Sequence, residues 1–83
     1  MPQYSVYVLH SLKNGKRYIG MTGQDPRERL KEHNSGTNEF TRANKPWKLV
    51  YFEMNYCKAC ALKREAFLKS GQGRKVLDLL ASK

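Results

Sequence analysis

Five side chains in this chain combine types that can do chemistry together: Tyr7, Tyr18, Arg29, His33 and Glu65. Two phenols, a guanidinium, an imidazole and a carboxylate are the parts needed for metal-assisted phosphodiester hydrolysis. A carboxylate anchors a hard cation. A guanidinium offsets charge developing on a phosphate. A phenol or an imidazole takes a proton from water. Each residue also has a plain structural reading, because strand tyrosines ordinarily pack and a basic helix face is ordinarily solvated. Spacing alone leaves both readings open. A helical wheel does not separate them at Glu65, which falls between Ala61 and Leu62 while Lys63 lies as close to Ala59 and Phe67.

The elements that must position these groups follow from local pattern. Tyr4 to Leu9 is aromatic and β-branched, which suits a strand. Asn14-Gly15 is the strongest turn signal, since both residues tolerate positive φ. Arg17 to Met21 returns as the partner strand. A two-residue turn pairs Lys13 with Lys16 and sets Tyr18 opposite Ser11, roughly 13 Å along the strand from Tyr7. The two tyrosines then share a face, but contact between them requires a longer turn or a bulge. Asp25 caps a helix with Pro26 at its first position and Glu28 placed to complete a capping box. Arg29 and His33, four apart, share one face of that helix. Gly36 suits a left-handed stop.

Thr37 to Lys45 is polar, with one short helical turn expected around Phe40 to Ala43, and Pro46 forbids its continuation. Trp47 to Met54 is a third strand, apolar on both faces and so expected to be well covered. Asn55 starts the next helix, which runs to about Lys69. Gly71-Gln72-Gly73 reads as an interhelix loop, and Arg74 to Ala81 as a last helix with Val76, Leu77 and Leu80 at core spacing. The fold class is therefore α/β in the α+β sense. A small three-stranded, largely antiparallel sheet is flanked by helices in the order β-β-α-(short α)-β-α-α.

At 83 residues the chain is read as one domain, residues 1–83. A chain this size buries only about 60–65% of its unfolded surface, so there is no room for an enclosed substrate chamber. The net charge of +9 calls for a polyanionic partner, most simply nucleic acid. No apolar run is long enough to span a membrane and the N-terminus has no secretory pattern, so the expectation is a cytoplasmic monomer. Cys57 and Cys60 lack a second Cys-x-x-Cys and lack histidines at finger spacing, so they read as small core-lining residues rather than a redox pair or half a metal site. His10 reads as a strand-end residue.

The residues together resemble the GIY-YIG nuclease superfamily, in its small single-domain branch. Ser5-Val6-Tyr7 stands for the first half-motif and Tyr18-Ile19-Gly20 for the second, with ten residues between the two tyrosines. Arg29 and His33 match the helix pair, and Glu65 in Lys63-Arg64-Glu65 matches the metal-binding glutamate. Ser5-Val6 departs from Gly-Ile at positions that shape the strand. The resemblance implies an endonuclease that hydrolyses DNA, or RNA, with one Mg²⁺ or Mn²⁺ on Glu65. Tyr7 would be the general base, Tyr18 would position phosphate or water, Arg29 would stabilise the transition state, and His33 would orient Tyr7 or relay its proton. Gly20 would let the chain pass close to the site. A free phenol is only about 0.1% ionised at pH 7, so the phenolate costs about 4 kcal/mol, which nearby cations must reduce. Arg27, Arg42, Lys45 and Lys69 are the expected nucleic-acid contacts. The rival reading keeps the fold as a basic nucleic-acid-binding module with weak or no turnover.

The charge alone generates one test. Affinity for nucleic acid should be weak, independent of sequence, and should fall steeply between about 50 and 200 mM salt, as counterion release requires. Filter binding across that range checks it, and salt-insensitive binding would remove the nucleic-acid role.

Overall fold

β1 (Tyr4–Ser11) lies at the centre of a three-stranded sheet, with β2 (Arg17–Thr22) on one side and β3 (Trp47–Asn55) on the other. Both pairings are antiparallel. The computed structural model describes residues 3–36 and 38–80, so the end of the expected last helix at Ala81 falls outside the described residues. α1 (Pro26–Ser35) and α2 (Glu39–Asn44) follow the hairpin, and α3 (Lys58–Lys69) and α4 (Gly71–Leu80) follow β3. The element order is the one read from the sequence.

Two small cores lie on opposite faces of β1. Val6 and Val8 pack with Ala61, Leu68 and Leu77 beneath α3 and α4. Tyr7 and Leu9 pack with Trp47, Tyr18, Leu30 and Leu49 beneath α1. The period-two alternation of a strand produces this division, and β1 is buried on both sides because each set is covered by helices.

The hairpin differs from the two-residue turn expected at Asn14-Gly15. Ser11 N–H donates to the Lys16 carbonyl at 2.8 Å, so the loop is Leu12 to Gly15, four residues long. Ser11 causes the difference. Its hydroxyl oxygen accepts from the backbone N–H of Lys13 (3.1 Å) and Asn14 (3.2 Å), which rounds the chain earlier than an Asn-Gly turn would. The register moves by two residues, Tyr18 pairs with Leu9, and Tyr7 pairs with Gly20. A shift of two keeps every side chain on its face.

β3 is less covered than its composition suggested. It is an edge strand, and Phe52 and Met54 are exposed. Its lack of alternation has a specific cause. The β1–β3 register shifts between Val8 and Leu9, leaving Val50 as an extra residue. Before the bulge Trp47 and Leu49 oppose Ser11 and Leu9; after it Phe52 opposes Tyr7. The bulge therefore brings odd-numbered and then even-numbered residues of β3 to the same face.

The helix ends are fixed by identifiable groups. The Asp25 carboxylate accepts from Arg27 N–H at 2.9 Å, and Gly36 ends α1 with φ of 90°. Glu28 faces Lys31 (3.5 Å) rather than reaching back to complete a capping box. Cys57, not Asn55, caps α3, its sulfur accepting from Cys60 N–H. Gly71-Gln72-Gly73 is not a loop but the first turn of α4. Ser70 is the whole connection, its hydroxyl accepting from Gly73 N–H at 3.1 Å. Gly73 is small because α3 and α4 cross there: an added Cβ would lie 1.9 Å from the Phe67 carbonyl oxygen. Leu77 is buried as expected, Val76 is half-buried, and Leu80 is exposed.

α1 and α2 are tied to the sheet by polar contacts. The Asn34 amide accepts from Trp47 N–H (2.6 Å) and donates to the Trp47 carbonyl (3.1 Å), completing part of the open edge of β3. The Trp47 indole donates to the Thr41 carbonyl at 2.9 Å. Asn44 receives Asn14 of the hairpin loop on its side chain and Ser11 on its carbonyl, each at 2.6 Å.

Two substitutions separate these devices. Asp25→Ala should cost about 1 kcal/mol through the lost cap. Gly73→Ala should cost more, about 1–3 kcal/mol, because backbone rather than a flexible side chain must move. Urea denaturation midpoints check the order, and equal midpoints would mean the α3–α4 crossing tolerates a methyl group.

Candidate active site at the edge of strand β2

Tyr7 and Tyr18 are diagonal neighbours on the α1 face, with ring centroids 6.3 Å apart. The Tyr7 ring lies across β2 above Gly20. A Cβ built on Gly20 would be 2.6 Å from the Tyr7 hydroxyl oxygen, so the glycine serves close approach. The crossing carries the hydroxyl of a central-strand residue out to the open edge of the sheet.

α1 supplies the groups that meet it. His33 is fully buried, and its Nε2 lies 2.9 Å from the Tyr7 hydroxyl. Its ring is 4.7 Å from that of Tyr18. His33 Nδ1 is buried with no hydrogen-bond partner among the described residues. Burial, and then the charge of Arg29, lower the His33 pKa below its usual value, so the imidazole is neutral at pH 7. Arg29, one turn earlier, is near enough to Tyr7 to favour its ionised form and pairs with Glu32. Burial raises the Tyr7 pKa; nearby Arg29 opposes the rise, while Tyr18 and Glu65 add to it. The net result is a phenol held above its usual range.

Glu65 arrives from the other face. Ala61, Glu65 and Leu68 form one stripe of α3, and the first and last are fully buried. The wheel set Glu65 between Ala61 and Leu62; of these only Ala61 is buried, and Leu68 completes the buried stripe that the wheel did not weigh. The neighbouring Arg64 holds the helix in register: its Nε donates to Glu53 of β3 at 2.7 Å, and the Tyr51 hydroxyl donates to the same carboxylate at 2.7 Å. The Glu65 side chain is about four-fifths buried, and its carboxylate pairs with Lys69 at 3.0 Å. It is near enough to Tyr7 to raise that phenol's pKa.

The structure thus brings Tyr7, Tyr18, Arg29 and His33 into one cluster, with Gly20 beneath it and Glu65 within electrostatic reach. No group of three His, Cys, Asp or Glu residues is placed to hold a metal ion among the described residues. A caged cation does not fit. A single carboxylate beside an open edge does fit an ion such as Mg²⁺, which keeps most of its waters and takes one or two carboxylates.

The expected nucleic-acid contacts are scattered. Lys69 lines a cleft of about 460 Å³ along the β2 edge, together with Lys16, Arg17, Tyr18, Ile19, Phe40 and Arg74. Arg27 lines a different cleft with Phe52 and Met54. Arg42 packs its stem toward Gly36, and Lys45 is the exposed cap of α2. Lys16, Arg17, Phe40 and Arg74 were missed, although Lys16-Arg17 directly precede Tyr18-Ile19-Gly20. The cysteines are a correction. Cys57 and Cys60 are exposed at the start of α3 and joined by a disulfide, so they line no core. A capping position faces solvent, and that outweighs their small apolar character.

A family model described as the GIY-YIG catalytic domain matches residues 3–76. A UPF0213 protein of Staphylococcus saprophyticus is 34% identical over 98% of this chain and 98% of its own length. One from Clostridium perfringens is 38% identical over 94% of this chain and 83% of its own. The solution NMR structure of a UPF0213 protein from Bacillus halodurans superposes with a TM-score of 0.56 at 32% identity, covering 94% of this chain and 84% of that one.

The buried neutral imidazole generates a pH test. The unfolded chain protonates His33 near 6.5, while the folded protein resists it, so the unfolded state binds more protons below that pH. Stability should therefore fall as pH drops below about 6.5. His33→Gln should flatten that part of the stability curve, measured as denaturation midpoints from pH 5 to 8. An unchanged curve would place the imidazole in solvent.

Proposed function

This chain belongs to the GIY-YIG catalytic-domain family, and from that premise we propose that it is a divalent-metal-dependent endonuclease. It hydrolyses phosphodiester bonds of DNA at the cluster of Tyr7, Tyr18, Arg29, His33 and Glu65. The observation that carries the reading is the setting of one hydroxyl. Tyr7 is seated over Gly20, 2.9 Å from His33 Nε2, within electrostatic reach of the Arg29 guanidinium, and felt by the Glu65 carboxylate. A tyrosine serving only to pack does not need a glycine beneath it, a buried imidazole and a guanidinium.

The division of labour follows. Neutral His33 offers Nε2 to the Tyr7 hydroxyl, so the phenol proton has an acceptor in place. Tyr7, relieved of that proton, takes one from the attacking water. Arg29 stabilises first the phenolate and then the charge gathering on the phosphate. Tyr18, in ring contact with His33, holds water or phosphate in line. Glu65 would hold Mg²⁺ or Mn²⁺, which supplies positive charge to polarise the phosphate. That charge has a second use here. The folded protein alone keeps the Tyr7 pKa high, so ionising Tyr7 requires more positive charge than Arg29 provides.

The protein is proposed to act on nucleic acid as a monomer in the cytoplasm. Among the described residues no helix is long and apolar enough to cross a membrane.

Removing one group at a time tests the assignment. Glu65→Gln should abolish Mg²⁺-dependent nicking, with folding retained and nucleic-acid binding undiminished, because a negative charge has been lost. Tyr7→Phe deletes one hydroxyl and should reduce cleavage by about 10²–10⁴-fold. Tyr18→Phe should reduce it less. If Tyr18→Phe is inactive and Tyr7→Phe is not, the two phenols exchange roles. If Glu65→Gln and Tyr7→Phe both cleave like the parent, the protein is a binding module and the activity lies elsewhere.

A further inference from the structure

The cleft along the β2 edge is built from two unlike materials. Its charged lining residues, Lys16, Arg17, Lys69 and Arg74, are all positive. Arg17 pairs with the exposed Asp78 at 2.9 Å and Lys69 with Glu65 at 3.0 Å, while Lys16 and Arg74 make no ion pair among the described residues. Beside them stands Phe40, a large aromatic left 42% exposed on a polar helix. Phe40 is not loose. It stacks on Tyr18 (centroids 6.1 Å, planes 29° apart) and meets Trp47 at 5.9 Å, and the Lys16 ammonium lies 6.0 Å from its ring.

We propose that this cleft binds single-stranded DNA, with an unpaired base stacked on Phe40 and flanking phosphates against Lys16 and Arg74. The proposal deepens the nuclease reading and rests on it for one point: the cleft shares Tyr18 with the site, so the bound strand leads to Tyr7. Positive side chains alone would serve any polyanion. The ring narrows the choice. In a duplex each base face is covered by its neighbours, so an aromatic wall meets a base face only when the base is unstacked and unpaired. Phe40 is backed by two rings and rimmed by cations, which is the composition of a single-strand stacking platform. The cleft volume of about 460 Å³ suits a ligand of nucleotide size. The proposal commits to DNA: apart from the Tyr18 hydroxyl, the lining side chains offer no acceptor for the extra 2′-hydroxyl donor of RNA, and their cations serve the phosphates of either strand.

Fluorescence anisotropy tests it, using a labelled oligo(dT) 12-mer, the same strand annealed to oligo(dA), and oligo(U), in EDTA so that nothing is cleaved. Oligo(dT) should bind about tenfold or more tighter than the duplex. Phe40→Leu, which keeps an apolar filler against Trp47, should weaken oligo(dT) roughly 5- to 100-fold with little change for the duplex, and Phe40→Trp should restore it. If circular dichroism shows Phe40→Leu unfolded, the exposed pair Lys16→Ser and Arg74→Ser takes its place, and each should weaken oligo(dT) and lower its salt slope by about one. Equal affinity for strand and duplex, full affinity in a folded Phe40→Leu variant, or tighter binding of oligo(U) than of oligo(dT) would each overturn the proposal. A separate Mg²⁺ cleavage assay keeps the two readings apart. Cleavage without strand preference sinks this inference alone; single-strand preference without cleavage sinks the nuclease reading alone.

Discussion

The Tyr7 ring can lie where it does only because residue 20 has no side chain, and much of the surrounding structure follows from that crossing. Tyr7 must oppose Gly20, and the four-residue loop from Leu12 to Gly15 secures that register. A two-residue turn would have set Leu9 against Gly20 and left the Tyr7 hydroxyl inside the sheet face. β1 is central, and helices on both faces of the sheet bury it on both sides. The β2 edge must stay open, because there the hydroxyl from the α1 face and the carboxylate from α3 can approach one another. A sheet covered out to that edge would separate them.

The sequence and the structure agree where one local signal dominates. Asp25-Pro26 and Gly36 bound α1 without help from the rest of the chain, and Arg29 and His33 share a face because helical geometry puts them there. They part where two signals compete or where a distant contact decides. Asn14-Gly15 asked for a tight turn, but the Ser11 hydroxyl took two backbone N–H groups first. Gly73 looked like a breaker, yet its smallness serves the crossing of α3 and α4. The bulge at Val50 has no glycine to announce it. Cys57 is a cap that no propensity argument favours, and Phe40 gains meaning only once Lys69 and Arg74 fold back beside it.

For the proposed site, residue identity was legible and arrangement was not. Tyr7, Tyr18, Arg29, His33 and Glu65 could be named from their motif, but spacing could not bring α3 to the same edge as α1. Two supports do that, and neither holds a reacting group. Asn34 grips the backbone of Trp47 and seats α1 against the sheet. Arg64 and Tyr51 converge on Glu53 and set the rotation of α3, which aims the next residue, Glu65. The basic residue that precedes the glutamate therefore has a structural use apart from any contact with nucleic acid.

The site also departs from ordinary packing in one consistent direction. His33 Nδ1 is buried without a partner, and burial holds Tyr7 protonated and His33 neutral. An unpaired buried polar atom costs on the order of 1–3 kcal/mol, and among the described residues no hydrogen bond to Nδ1 offsets it. For Nε2 to accept the Tyr7 proton, the neutral ring must carry its own hydrogen on Nδ1, the atom without a partner among the described residues. Arg29 is held beside the phenol by its pairing with Glu32, close enough to favour the phenolate but too little to produce it. The Tyr7–His33 pair is thus kept in its uncharged form, one proton transfer from the charged one. Positive charge gathered beside Glu65 would act against burial on the same hydroxyl, so in the proposed mechanism cation binding and ionisation of Tyr7 would be linked through the space between two side chains from opposite faces of the sheet.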